Sequence, residues 1–254
     1  ATTPTWPSIC SGPTPMLEVK AIDTFRGPAH ILHKVSLSVH EREVVCLVGR
    51  NGAGKTTTME SIMGFLPVKS GRILFHGEEV SSLPVHKRAL RGMGYAPEGS
   101  EIFPELTVAE NMMISRWMSA KARRRLEVLA DGNIEERVYA VFPEVRELLH
   151  RQGMNLSGGQ RKMVAIARGM ALAPTLLLLD EAFEGLAPVV VKRFREAVLK
   201  IEDLGISLLI AESNLVNAAR IADRLYAIDR GEIIFEGKPQ QALEDANVMK
   251  ALRG

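Results

Sequence analysis

The 254 residues predict an α/β fold with a parallel core, antiparallel strands leading into it, and a helical segment inserted part-way along. Three observations predict it. First, the short apolar run Val44-Val45-Cys46-Leu47-Val48 feeds a glycine-rich stretch, Gly49-Arg50-Asn51-Gly52-Ala53-Gly54-Lys55-Thr56. A helical pattern follows over Thr57-Thr58-Met59-Glu60-Ser61-Ile62-Met63. Second, Thr175-Leu176-Leu177-Leu178-Leu179-Asp180 and Ile206-Ser207-Leu208-Leu209-Ile210-Ala211 are nearly continuous apolar runs, separated by a helical pattern over Val189–Asp203. Runs of that kind suit parallel strands covered on both faces. Third, the stretch from Val108 to Gly153 is helical and charged, with no strand pattern.

The remaining elements follow in order. Residues 1–15 are rich in Thr, Pro and Ser and lack a basic segment followed by an apolar one, so they read as a loose tail and not a signal peptide. Residues 16–254 then form one domain, with the helical insertion at about 98–160. Leu17–Ile22 and Val35–Val39 alternate, which predicts half-buried antiparallel strands, and Gly71–Gly77 reads as a strand bounded by glycines. The basic run Lys121-Ala122-Arg123-Arg124-Arg125 reads as a solvated helix face. Leu225–Ile228, the turn Asp229-Arg230-Gly231 and Glu232–Phe235 predict a hairpin, and helical turns close the chain from Pro239.

Composition narrows the function. An apolar content of 46% and a charged content of 24% describe an ordinary globular chain, and a formal charge of +2 gives no reason to expect a nucleic-acid partner. No uncharged apolar run reaches the ~18 residues a membrane span needs, and Arg168 and Pro174 interrupt the longest candidate. Cys10 and Cys46 are isolated, which argues against a disulfide framework or a zinc site and fits a reducing compartment.

The glycine-rich stretch is G-x-x-x-x-G-K-T, a phosphate-binding loop between strand and helix. Such a loop wraps a triphosphate with backbone N–H groups, and the following helix points its positive end at the anion. Lys55 is expected to reach the β- and γ-phosphates and to have no packing duty; the Thr56 hydroxyl is expected to ligate Mg²⁺. Asp180, closing the Leu-rich strand, is placed to hold Mg²⁺ through water, and Glu181 to orient or deprotonate the attacking water. Leu156-Ser157-Gly158-Gly159-Gln160 opens a helix whose apolar positions are Met163, Ile166, Ala167 and Met170. It is either a plain serine cap or a second phosphate-binding helix end, one that would serve a nucleotide held by a neighbouring subunit.

In order and spacing, the phosphate loop, Leu156–Gln160 and Asp180-Glu181 resemble the Walker A, signature and Walker B motifs of the ABC ATPase family, a resemblance running from Leu17 to the C-terminus. The resemblance implies a P-loop core with an antiparallel β subdomain and a helical subdomain, binding ATP and Mg²⁺. It further implies a head-to-tail dimer in which each ATP lies between one subunit's phosphate loop and the other's signature motif. The residues it assigns to nucleotide are Phe25 or Arg26 on adenine, Gly49, Arg50, Asn51, Gly52, Ala53, Gly54, Lys55, Thr56 and Thr57 on phosphate, and Ser157, Gly158, Gly159 and Gln160 in trans. Glu181 is its catalytic residue, and Thr56, Glu98 and Asp180 are its metal residues. Pro97-Glu98-Gly99, Phe103–Asn111 and Gly185-Leu186-Ala187-Pro188 are similar to the second ATPase subunit of branched-chain amino-acid-type importers, a subgroup with Glu at the position of Glu98.

At three places the chain departs from the family pattern. Arg26 stands where an aromatic usually stacks on adenine, with Phe25 one position early. Ala182 and Phe183 replace the usual Pro-Ser/Thr. Ser213 stands where most relatives have a histidine on the γ-phosphate. The expected function is therefore that of a transport ATPase on the cytoplasmic face of the inner membrane. Its expected partners are integral permease subunits, a solute-binding protein acting indirectly, and a homologous ATPase that keeps the histidine. A catalytically weakened partner subunit and a lipid-exporter ATPase stand as alternatives. An ATPase acting on DNA or ribosomes is disfavoured, because no coiled-coil insertion, zinc cysteines or fused second cassette is seen.

Overall fold

The computed structural model describes residues 14–123 and 134–253. Two sheets frame the molecule. Strands β1 (Leu17–Arg26), β2 (Ala29–Val39), β4 (Val68–Phe75) and β5 (Glu78–Glu79) form an antiparallel sheet in the order β2-β1-β4-β5. The second sheet has the order β10-β9-β3-β8-β7-β6, built from β3 (Val44–Val48), β6 (Met93–Ala96), β7 (Leu176–Asp180), β8 (Ser207–Glu212), β9 (Arg224–Asp229) and β10 (Glu232–Gly237). Its strands run parallel except for the edge hairpin β9–β10.

The apolar runs are continuous because both faces of this sheet are covered. Val45, Leu47, Leu176, Leu178, Leu209 and Tyr226 face the antiparallel sheet and helix α1 (Lys55–Met63). Their neighbours Val44, Cys46, Val48, Leu177, Leu179, Leu208 and Ile210 face the other way, against α6 (Gly158–Met170) and α7 (Pro188–Asp203). Buried Arg88, on α2 (Val85–Ala89), caps α1 by donating to the Ser61 and Ile62 carbonyls at 2.9 and 2.6 Å.

The helical stretch comprises α3 (Val108–Arg123), α4 (Ile134–Val141), α5 (Pro143–Glu147) and a 3-10 turn at Gly153–Asn155. A bridge between Thr107 and Gln152 closes it at the neck, and Arg193 of α7 clamps Glu144 of α5 with bonds of 2.6 and 2.9 Å. After the core come α8 (Leu215–Ala219), α9 (Pro239–Glu244) and α10 (Ala246–Arg253).

Several boundaries differ from expectation: β1 runs on to Arg26 and β2 begins at Ala29, six residues before Val35. Helix α1 begins at Lys55, two residues early, because Gly54 turns the chain into it. Gly71 does not end a strand but lies inside β4. At φ +81° it lets the backbone pass β1 where a Cβ would lie 2.3 Å from the Ala21 carbonyl oxygen. The expected tail falls outside the described residues up to residue 13, as do Arg124 and Arg125 and the side chains of the rest of the basic run.

Candidate nucleotide site

The site forms where β3, β7 and β8 end side by side. Val48 pairs with Glu212 and Asp180 with Ala211, so the loops after these strands leave from the same sheet edge. The phosphate loop follows β3. Gly49 is needed there because a Cβ would meet the Ile228 carbonyl oxygen at 2.5 Å, and Gly54 because φ is +114° as the chain enters α1.

The structure brings six of the expected residues together. Lys55 Nζ lies 2.8 Å from Glu181 Oε1, donates to the Gly49 and Arg50 carbonyls at 2.8 and 3.1 Å, and to Ser213 Oγ at 3.1 Å. Ser213 Oγ also lies 2.7 Å from Glu181 Oε1 and 2.9 Å from Asn51 Oδ1, and the Ser213 N–H donates to Glu181 Oε2 at 3.2 Å. Thr56 lies beside this cluster, where its hydroxyl acts on Asp180 to favour the charged carboxylate. The expectation that Lys55 has no packing duty is corrected. Its side chain and that of Glu181 are 4% and 5% exposed, so each is the other's buried counter-ion.

Asp180 accepts from the Tyr95 hydroxyl at 3.2 Å on one oxygen, while its other oxygen is buried with no partner. Burial raises its pKa to about 6. An orphaned carboxylate oxygen beside a threonine hydroxyl is a hard-oxygen donor set, and it fits Mg²⁺. Glu98 is exposed at the rim, where its charge acts on both Asp180 and Lys162.

Phe25 and Arg26 sit at the end of β1, next to the start of α1. The Phe25 ring stacks on His30 at 4.2 Å, and Arg26 donates to Thr57 Oγ1 at 3.2 Å and pairs with Glu60. Ser157–Gln160 lie apart. Ser157 caps α6 in a reciprocal box with Gln160, through bonds of 2.9 and 3.3 Å. This cap lines an open groove of about 490 Å³ with Glu98 and the loop Glu184–Ala187. Among the described residues, no hydrogen bond links the cap to the phosphate loop of the same chain.

Sequence reasoning missed two residues that shape the site. Lys162 Nζ donates to the carbonyls of Glu181 at 2.6 Å and Glu184 at 2.9 Å, holding the turn in which Glu181 has the rare φ of +50°. Nothing in the helical periodicity marked it. Glu212 was legible, since it is a carboxylate closing an apolar strand just as Asp180 does. It accepts from the Phe183 N–H at 2.9 Å, so the Phe183 departure is absorbed by burying the ring and tying its backbone to β8.

Burial, opposed by the Phe183 bond, raises the Glu212 pKa from 4.5 to about 8. Between those values the folded protein holds a proton that the unfolded chain releases, so stability falls as pH rises from 5 to 8. Glu212→Gln is expected to flatten that slope and to stabilise the protein at pH 8 by roughly 1–3 kcal/mol. Urea unfolding midpoints at pH 5.5, 7 and 8.5 check this.

The ABC transporter family profile matches residues 32–184, from β2 through the turn after Glu181. The chain belongs to the ABC transporter family. It is 37% identical over 228 residues to the lipopolysaccharide export ATP-binding protein LptB of Haemophilus influenzae, covering 88% of this chain and 91% of that one. It is 31% identical over 239 residues to the high-affinity branched-chain amino acid transport ATP-binding protein BraG of Pseudomonas aeruginosa, covering 94% and 100%. Among solved structures, the ADP conformation of MJ1267, an ATP-binding cassette of an ABC transporter, superimposes with a TM-score of 0.81 at 26% identity over 95% of this chain and 99% of that one. This ABC chain is thus an ATP-binding and ATP-hydrolysing transporter subunit of a kind that works with membrane permease components, and its relatives include ATP-binding proteins of both branched-chain amino acid transport and lipopolysaccharide export. Among its described residues no helix is long and apolar enough to cross a membrane.

Proposed function

We propose that this ABC ATPase drives import of a small polar solute, of the branched-chain amino-acid type, from the cytoplasmic face of the inner membrane. Glu98 and Ser213 carry the reading: the branched-chain subgroup it resembles has Glu at the position of Glu98 and often lacks the histidine that Ser213 replaces. Ser213, a short neutral donor where a histidine is usual, further supports a heterodimer with a homologous ATPase that retains the histidine. The permease contact is assigned to the insertion and its lead-in loop. Fully buried Asn111 clamps that loop, accepting from the Phe103 N–H at 2.9 Å and donating to the Phe103 and Thr107 carbonyls at 3.0 Å. Phe103, Met113 and Trp117 are exposed beside it. The 37% identity to LptB favours the second reading, a lipid exporter.

The chemistry is in-line attack of water on the γ-phosphorus, with the bond to the β–γ bridging oxygen breaking to give ADP and phosphate. Phosphate oxygens take Lys55 Nζ from Glu181, and the freed carboxylate accepts a proton from the water. Bound at Thr56, Asp180 and Glu98, Mg²⁺ would neutralise charge on the β- and γ-oxygens. Lys162 keeps the Glu181 backbone in place while the side chain is released.

Two experiments test this. Mild-detergent purification of the tagged chain from its own cells, followed by reconstitution, is expected to recover two permeases and a second ATPase and to give ATP-dependent uptake of an amino acid. Recovery of lipid-exporter permeases with no second ATPase would overturn both import and the heterodimer. Ser157→Arg is expected to leave ATP affinity of the isolated chain within about twofold and to abolish turnover by the complex, because the cation would meet the partner's nucleotide. Losing the cap also costs about 1 kcal/mol, so Ser157→Asn, which keeps a capping oxygen, is the control for folding.

A further inference from the structure

A second cluster of ligand-type side chains lies on the antiparallel sheet, one turn removed from the phosphate loop: the His33 N–H donates to the Gly231 carbonyl and the Gly231 N–H to that of Ala53, each at 2.8 Å. Asp23 of β1 and His30 and His33 of β2 present a carboxylate oxygen and two imidazole nitrogens that all lie within 4.8 Å of one another. Among the described residues it is the one grouping of three metal-ligating side chains with this spacing. A regular strand would not build it. Residues three apart on a strand face opposite sides of the sheet, so His30 and His33 should point away from each other.

The register of the β1–β2 hairpin resolves this. Ile22 pairs with Val35, Thr24 with Leu32 and Phe25 with His30, so β2 carries one extra residue at each of two steps. Such bulges re-aim side chains. Lys34, within the first of them, takes a φ of +51°. The result sets the two imidazoles against each other at 3.9 Å, with Asp23 Oδ1 2.9 Å from His30 Nε2.

The surroundings fix these donors as outer partners fix metal ligands. Ser70 donates to the second Asp23 oxygen and the Lys34 N–H donates to the first at 3.2 Å. These bonds hold the carboxyl below its usual range, the Ser70 bond first, although burial works against them. Phe25 stacks flat on His30, with 6° between the ring planes, and fixes that imidazole's orientation. The Asp23 side chain is only 17% exposed and that of His30 34%, so the donors sit in a shallow recess.

We propose that Asp23, His30 and His33 bind one late first-row divalent cation of the zinc class. Two nitrogens and one oxygen suit Zn²⁺, Ni²⁺ or Cu²⁺ and not Mg²⁺ or Ca²⁺, which take oxygen donors. Donors around tetrahedral zinc stand roughly 3.3 Å apart, for bonds of about 2.0–2.1 Å, and small ring rotations close the remaining gap. On binding, the His30–Asp23 hydrogen bond is replaced by two bonds to the ion, with each imidazole coordinating through its unprotonated ring nitrogen. Three protein ligands leave a fourth position for water, so the ion clamps β1 to β2 and is not sealed inside the fold. The proposal does not rest on the transport reading: its three ligands are not among the nucleotide residues, and Phe25, which stacks on His30, is the one adenine candidate that touches it.

The test is calorimetric titration of Zn²⁺ into the chelator-stripped full chain, without nucleotide, for the wild type and for His30→Gln, His33→Gln and Asp23→Asn. Expected is one ion per chain at micromolar affinity, weakened at least tenfold in each variant. At a hundredfold excess over Kd the ion should also raise the unfolding midpoint by about 5–10 °C in the wild type alone. Unfolding midpoints in chelator show whether each variant is folded. If folded wild type takes up no zinc, or if folded variants bind it as tightly, the assignment is wrong. A variant that does not fold is replaced by nickel titration of the wild type before and after diethylpyrocarbonate modification. Uptake that persists after modification would overturn the site equally.

Discussion

Lys55→Ala is expected to weaken ATP binding at least ~100-fold. The lysine supplies charge-assisted donors to two phosphates, and each such bond contributes about 1.5–3 kcal/mol. The mutation also has a structural effect, because it strips Glu181 of its buried counter-ion at 2.8 Å. Breaking a buried pair from one side typically costs about 3–5 kcal/mol, so the unfolding midpoint should fall. The two effects separate in Lys55→Ala/Glu181→Gln, where no uncompensated carboxylate remains. That double variant should recover most of the stability and none of the affinity. Equilibrium nucleotide binding and thermal unfolding on the same preparations decide it. Near-normal affinity in the single variant would sink the assignment of the loop.

Glu181→Gln is expected to lower turnover by the assembled complex about 10²–10⁴-fold, the usual loss for a general base. The ion pair adds a second expectation of opposite sign. Glutamine no longer competes with phosphate for Lys55, so ATP should bind several-fold tighter than to the wild type. A structural role alone would lower both quantities together. Unchanged hydrolysis by the complex would make this chain the passive partner.

The fold was legible where periodicity and chemistry agreed. Val44–Val48 is β3 to the residue, and the apolar runs ending near Asp180 and Ala211 are β7 and β8, because burial on both faces leaves no polar residue to blur them. Gly71 misled for a physical reason: a glycine needed for close approach inside a strand looks the same in sequence as one that ends it. The site was legible as a set of residues and not as a pattern of contacts. Spacing placed Lys55, Asp180 and Glu181 at one sheet edge, yet nothing in it indicated that the lysine and the glutamate pair at 2.8 Å. Lys162 was hidden more deeply, since its role rests on backbone carbonyls of the 181–184 turn, which no side-chain pattern encodes, whereas Glu212 could have been found as a carboxylate closing an apolar strand. The His30–His33 pairing depends on two bulges in β2 that no alternation in the sequence announces.

The central claim is that nucleotide takes Lys55 from Glu181. The most direct measurement is the Lys55 Nζ–Glu181 Oε1 distance in this chain crystallised with Mg²⁺ and a non-hydrolysable ATP analogue. The account predicts that the 2.8 Å contact opens beyond hydrogen-bonding range, with Nζ on the β- and γ-phosphates and Glu181 turned toward the attacking water. An intact lysine–glutamate pair beside a bound triphosphate would contradict it.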